Sequence, residues 1–402
     1  MSPNARLIVL VNVGHLLCHY CLLILPIAVL AMAVEGGVFG REYGPVLALA
    51  TGMFLLYGLL SLPQGWLAAR FGQRPMIAAY FFGTGTALVA SGFASTLQAL
   101  ELTLAVVGAF AAIYHPIGTA MLVEAAGDRT GRALGTNGVC GNLGVGLAQV
   151  ATAALATQFG WQAAFVALGL VFLGLGAAWL HLPAANGAGT RAVRPFAPIP
   201  RALVRRAVIV LLLVAAVSGL VFNAFTLLMP KLMQERLDGQ ALSLVGVAAF
   251  AATLCGALSQ FAIGRLIDRM TLRRLLLPIS LLLVPGLATL AIVRDWMVVP
   301  VAGLASAAIF GQITLGETMT ARYISPELRV RMYSVRFFIG FLGAVAAVPM
   351  VGLLHERTGS LTAPTLVLAA FSGVTLGCAL LFPNRQEELH PELWQAEAVA
   401  AD

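Results

Sequence analysis

The chain has 402 residues, 60% of them hydrophobic and only 10% charged, with a net charge of +7. A water-soluble domain must cover its outside with polar groups, and this composition supplies too few, whereas lipid is the outer solvent of a membrane-embedded fold. The basic residues fall in short loops between apolar runs rather than in one stripe, which argues against a nucleic-acid partner.

A helix needs about 20 apolar residues to cross the hydrocarbon core. The first such run, 7–34, follows a single Arg6 and is too long for a signal-peptide core, so we expect a retained first helix. Five more follow at 45–67, 76–96, 98–123, 134–157 and 161–182. After a Gly-, Pro- and Arg-rich break come 207–233, 241–267, 275–293, 297–321, 333–354 and 361–383. The expected fold is an all-α membrane protein of twelve transmembrane helices. Its organisation is a bundle at 1–183, a cytoplasmic linker at 184–206, a second bundle at 207–383 and a cytoplasmic tail at 384–402. Cys18, Cys21, Cys140, Cys255 and Cys378 all lie inside apolar runs, an odd number that does not form a secreted disulfide framework.

Lysine and arginine set the orientation. With the N-terminus inside, 19 of the 24 basic residues fall in inside segments and 5 in outside loops. The positive-inside rule then puts both termini in the cytoplasm.

The two halves share an internal repeat. Gly65-Trp66-Leu67-Ala68-Ala69-Arg70-Phe71-Gly72-Gln73-Arg74 follows the second span, and Gly264-Arg265-Leu266-Ile267-Asp268-Arg269-Met270-Thr271-Leu272-Arg273 follows the eighth. The offset, 264 − 65 = 199, also carries Arg132 onto Arg331 and the glycines of GNLG, Gly141 and Gly144, onto Gly340 and Gly343 of GFLG. A duplicated six-helix unit accounts for one offset shared by separate motifs.

Both loops resemble GxLxDRxGRR, the signature of the major facilitator superfamily, with Ala69 standing in place of the acid in the first copy. The resemblance covers the whole chain. It implies two pseudo-symmetric six-helix bundles around a central chamber, a secondary transporter rather than an enzyme, and no cofactor. It also implies a small-molecule substrate, a monomer, and residence in the bacterial inner membrane. In the resembled family the motif's acid closes the cytoplasmic gate by meeting a helix start in the other half. That assigns gating to Arg70, Arg74, Arg132, Asp268, Arg269, Arg273 and Arg336, with Asp268 near the start of the fifth helix and no counterpart from Ala69.

Polar groups at membrane depth mark a pathway or coupling site. His15 and His19 are one turn apart on the first helix, and aligning Pro26 with Pro230 sets His19 against Asn223. Tyr114-His115-Pro116 lies where proline breaks a backbone bond of the fourth helix. Expected substrate contacts are His15, His19, Tyr114, His115, Asn223 and Gln260, and expected proton carriers are His19, His115 and Glu317. Glu317 has a second reading, a lock with Arg322 or Arg336. Gly138, Gly141, Gly144 and Gly146 form a small-residue stripe that suits close helix packing.

The strings TLLMPKLMQERL, FGQITLGETMTARY and VRMYSVRFF resemble a bacterial branch that includes copper importers and riboflavin transporters. Those importers use Met-x3-Met in the seventh helix, which Met229 and Met233 match, and His-x3-Met in the eighth, which is missing here. His15, Cys18 and His19 are the soft ligands that would complete a copper site with that pair. The leading expectation is a proton-coupled carrier of a small organic solute, with metal import and a transport-dead sensor as alternatives.

Overall fold

The computed structural model describes residues 3–36, 40, 42–126, 130–182, 199–390 and 394, and among these there is no strand. The first half comprises α1 (Pro3–Glu35), α2 (Tyr43–Ala48), α3 (Ala50–Ser61), α4 (Gln64–Phe71), α5 (Gln73–Gly92), α6 (Leu97–Ala111), α7 (Tyr114–Ala126), α8 (Thr130–Phe159) and α9 (Trp161–Leu180). The second comprises α10 (Arg201–Arg236), α11 (Leu242–Leu266), α12 (Leu272–Ile292), α13 (Val298–Tyr323), α14 (Pro326–Thr358) and α15 (Thr362–Leu381).

Eleven stretches are long and apolar enough to span a bilayer. The twelfth crossing is α5, where the third span was expected; Gly83, Thr84, Gly85, Thr86 and Ser91 dilute its hydropathy without shortening it. The second and fourth crossings are segmented. α2 and α3 meet at Leu49, and α6 gives way to α7 at Ala112–Ile113, immediately before Tyr114-His115-Pro116. Pro116 has no N–H to return to Ala112, so the helix restarts rather than continues. α10 begins at Arg201, not 207, and Arg201, Arg205 and Arg206 are exposed on its opening turns; most of the expected linker, 183–198, lies outside the described residues.

Contacts repeat between the halves. α1 packs on α8 as α10 packs on α14, α5 on α9 as α12 on α15, and α3 on α6 as α11 on α13. The halves meet through two equivalent seams, α8 with α11 and α14 with α2 and α3.

The glycine stripe is what lets the first pairing form. A Cβ at Gly144 would sit 2.0 Å from the Leu16 carbonyl oxygen, and one at Gly343 would sit 2.5 Å from the Leu220 nitrogen. Gly144 and Gly343 are repeat partners, and Leu16 and Leu220 correspond under the Pro26–Pro230 alignment. The two halves therefore make one contact twice. Gly146 receives the Phe250 ring of the other half, where a Cβ would lie 2.8 Å away. Close packing is the structural role of this stripe.

The tail after α15 folds back on the second half. Asn384 Oδ1 accepts the Thr271 hydroxyl at 2.6 Å, and Glu388 Oε2 accepts the Leu272 amide at 2.8 Å. Tyr323 donates its hydroxyl to the other carboxylate oxygen, and Arg322 lies 3.7 Å away. Trp394 is buried, with the Arg385 guanidinium 5.8 Å over its ring. Burial raises the Glu388 carboxyl above its ordinary value of 4.5, against the hydrogen bonds from Tyr323 and Leu272, which lower it.

Alanine at Gly144 should lower stability by about 3 kcal/mol, the upper end of overpacking costs, because the obstruction is backbone. A Cβ at Gly340 meets nothing within 4 Å, so Gly340→Ala should leave the detergent melting temperature unchanged or raise it. Equal tolerance of the two substitutions would contradict the packing. A raised carboxyl means the docked tail holds its proton more tightly than a free one. Docking should be strongest below the ordinary carboxylate range and weaken as pH rises through the raised value. Trp394 fluorescence, taken against a Trp394→Phe background, should report this loosening, and Glu388→Gln should abolish its pH dependence.

Candidate functional site

Three histidines converge inside the first half. His15 and His19 come from one face of α1, and His115 from the restart of α7. Ring centroids are 4.9 Å apart for His15–His19, 4.9 Å for His15–His115 and 5.4 Å for His19–His115. Their nitrogens lie within 4.8 Å of one another. His15 is buried, whereas His19 and His115 keep partial access.

A polar network holds this cluster from behind. His15 Nδ1 donates to the backbone carbonyl of Asn137 at 2.6 Å. Asn137 Nδ2 donates to Asn12 Oδ1 at 2.9 Å and to the Tyr114 hydroxyl at 3.1 Å, and that hydroxyl donates to the Val11 carbonyl at 2.8 Å. The Tyr114 ring stacks on His15 at 5.3 Å and 16°. Gly141 lies directly beneath: a Cβ there would be 2.7 Å from His15 Cε1 and 3.0 Å from His19 Cδ2. The second half faces the cluster with aromatic rings. Phe337 is 5.6 Å from His115, and Phe341 meets Tyr57 edge-on at 4.5 Å.

Other expected residues go elsewhere. Asn223 turns back on its own helix and donates to the Gly219 carbonyl at 2.7 Å. Gln260 ties the halves together, its Oε1 accepting from Asn142 of α8 and its Nε2 donating to the Phe310 carbonyl at 3.2 Å. Cys18 Sγ lies 3.7 Å from the Tyr57 hydroxyl, and Met229 and Met233 are wholly buried in the hydrophobic core. Glu317 is exposed, and its charged neighbour is Arg336 on α14. Arg336 also donates to the Thr320 hydroxyl at 3.1 Å.

Among the residues expected to gate, Arg70 and Arg269 are exposed and Arg273 is half-buried. Arg70 lies 5.7 Å over the Phe71 ring, and the Arg74 carbonyl accepts the Trp179 indole N–H at 3.0 Å. Asp268 is exposed beside Arg322, whose guanidinium donates to the Ile267 carbonyl at 2.7 Å. The expected partner of Asp268, the Arg132 side chain, lies outside the described residues. In the first loop Gln73 donates to Glu124 Oε1 at 3.0 Å. Small residues there, Gly65, Ala68 and Ala69, line a pocket of about 320 Å³ with Gln73, Pro116, Ile117 and Ala120.

A carboxylate does meet a helix start across the two halves, but at the opposite end of the bundle. Glu356 Oε1 of α14 accepts the Gly44 amide of α2 at 2.9 Å, and Gly352 and Gly44 touch backbone to backbone. Beside them the Tyr43 hydroxyl donates to the Leu227 carbonyl at 3.3 Å, and its ring lies 5.3 Å from His355. His355 in turn pairs with Glu235 at 2.8 Å. At the arginine-rich end, added Cβ atoms at Gly65, Gly135 and Gly264 would meet only open space.

The sequence pattern of the Major Facilitator Superfamily matches residues 16–255 and again 238–400. The chain belongs to this superfamily. Its fold is similar, at a TM-score of 0.69 and 14% identity, to a bacterial homologue of the human lysosomal transporter Spinster. That structure is described as inward-facing and unoccupied, and the match covers 100% of this chain and 96% of that one. No curated protein matches the chain. As a major facilitator protein it is an integral membrane protein and a transporter by family.

Asn12, Asn137, Tyr57 and Phe337 adjoin the cluster, and no sequence motif marks them. The two asparagines obey the rule that singled out the histidines, being polar groups at membrane depth. Asn12 and Asn137 form a buried hydrogen-bonded pair, so Asn12→Leu or Asn137→Leu alone should cost about 1–3 kcal/mol by stranding the other amide. The double variant should cost less than the sum, and a strictly additive thermal-melt series would show that the amides do not bond.

Proposed function

We propose that this protein is a secondary carrier of a small organic solute, working by alternating access and coupled to protons in a bacterial cytoplasmic membrane. Both termini lie on the cytoplasmic side in this reading, as the arginine distribution favours. The single observation that carries the proposal is the enclosed cluster of His15, His19 and His115, faced by Tyr114 and Phe337. Aromatic walls with a few convergent polar groups suit a small solute, and histidine is the side chain that exchanges protons near neutral pH.

Access is gated by the two seams. Glu356, Gly44, Tyr43 and His355 hold the far end shut. Rocking of the halves about the chamber would release the first contact and close the second end, where Asp268 and Arg322 stand ready. His19 and His115 take the coupling proton, and Glu317 with Arg336 acts as a lock within the second half.

Compounds that raise the melting temperature should undergo counterflow in proteoliposomes, since exchange requires a site open alternately to each side. Solute entry should acidify a trapped pH dye. His19→Gln and His115→Gln should each slow exchange by at least about tenfold, the loss of roughly 1.4 kcal/mol of binding. Wild-type exchange in both variants would remove the site assignment. Stabilising compounds that never exchange would remove the carrier reading.

A further inference from the structure

The same three imidazoles have a property that solute binding and proton exchange do not require. A backbone carbonyl only accepts, so the 2.6 Å contact to Asn137 puts the proton of neutral His15 on Nδ1. Nε2 is then a bare lone pair. It is buried and has no hydrogen-bond partner, and His15 itself is only 8% exposed. An orphaned acceptor at lipid depth is costly unless something binds it.

Metal-binding histidines are held in this way, with the far nitrogen donating to a carbonyl so that tautomer and ring orientation are fixed in advance. His19 and His115 bring their nitrogens to within 4.8 Å of His15 and of each other. A Cβ at Gly141 would lie 2.9 Å from His15 Nε2 and 3.0 Å from His19 Cδ2, so glycine leaves room beside that nitrogen. A zinc-class ion takes nitrogen at about 2.0–2.1 Å, so the rings must close by about 1 Å, a side-chain rotation open to the two partly accessible histidines.

We propose that His15, His19 and His115 bind one divalent first-row transition-metal ion of the zinc class. Three neutral imidazoles select against Ca²⁺ and Mg²⁺, which want oxygen. They also differ from the thioether set that suits Cu(I), because Met229 and Met233 lie in the apolar core. Three protein ligands leave a fourth position for water or a donor atom of the solute. The inference uses the chamber histidines of the function proposed above but not their role in transport.

Co²⁺ is the probe, because its four-coordinate complexes absorb in the visible. Purified full-length protein, with any affinity tag removed, should titrate to one equivalent of Co²⁺, and Zn²⁺ but not Mg²⁺ should bleach the band. His15→Asn, His19→Asn and His115→Asn should each weaken binding by more than about tenfold, with elution and melting behaviour confirming that the variants fold. No band in the wild type, or a band that survives the triple substitution, would overturn the proposal. Counterflow is measured independently, so a carrier without a metal site and a metal site without transport give different results.

Discussion

Everything in the first half hangs on one contact, the backbone of α8 at Gly144 pressed against the Leu16 carbonyl of α1. No side chain fits between them, so the two helices lie closer than ordinary packing allows. That approach carries Gly141 under His15 and His19 and brings the Asn137 carbonyl to His15 Nδ1. The polar network follows from the same constraint. In lipid a buried amide or imidazole has no water to fall back on, so Asn12, Asn137, Tyr114 and His15 must satisfy one another.

The second half repeats the backbone but not the chemistry. Gly343 meets Leu220 as Gly144 meets Leu16, while the counterpart of His15 is Gly219, against which Gly340 closes with no side chain on either. The counterpart of His19 is Asn223, and it spends its amide on its own helix. One half thus supplies the titratable groups and the other supplies aromatic rings, Phe337 and Phe341. A duplicated scaffold repeats the backbone in both halves while leaving the site free to diverge in one of them.

The twelve crossings and the repeat were legible because apolar run length and a shared offset are one-dimensional signals. The histidine face was legible too, since His15 and His19 need only helical spacing. His115 could be tied to them only through the break at Ala112–Ile113, which turns α7 inward, and a proline marks such a break without giving its direction. Gln260 and Asn223 were placed by type and depth, yet amides bond as readily to a neighbouring helix as to a solute. The docked tail was illegible, because Glu388 lies in a polar stretch whose partners, Leu272 and Tyr323, lie on α12 and α13.

The carboxylate-to-helix-start contact made across the two halves lies at the end opposite the resembled motif. A carboxylate at a helix start in the other half is favourable wherever it occurs, because unpaired amides and the helix dipole both attract it. The resembled motif directs attention to Asp268, but here that acid is exposed beside Arg322 while Glu356 makes the bond to the start of α2. The two statements are compatible in a protein that rocks. In the alternating-access reading proposed above, one end is shut at a time, so one such contact is complete at a time. The Gly44–Glu356 end is packed, and at the arginine-rich end Arg322 faces both Asp268 and Glu388 of the tail.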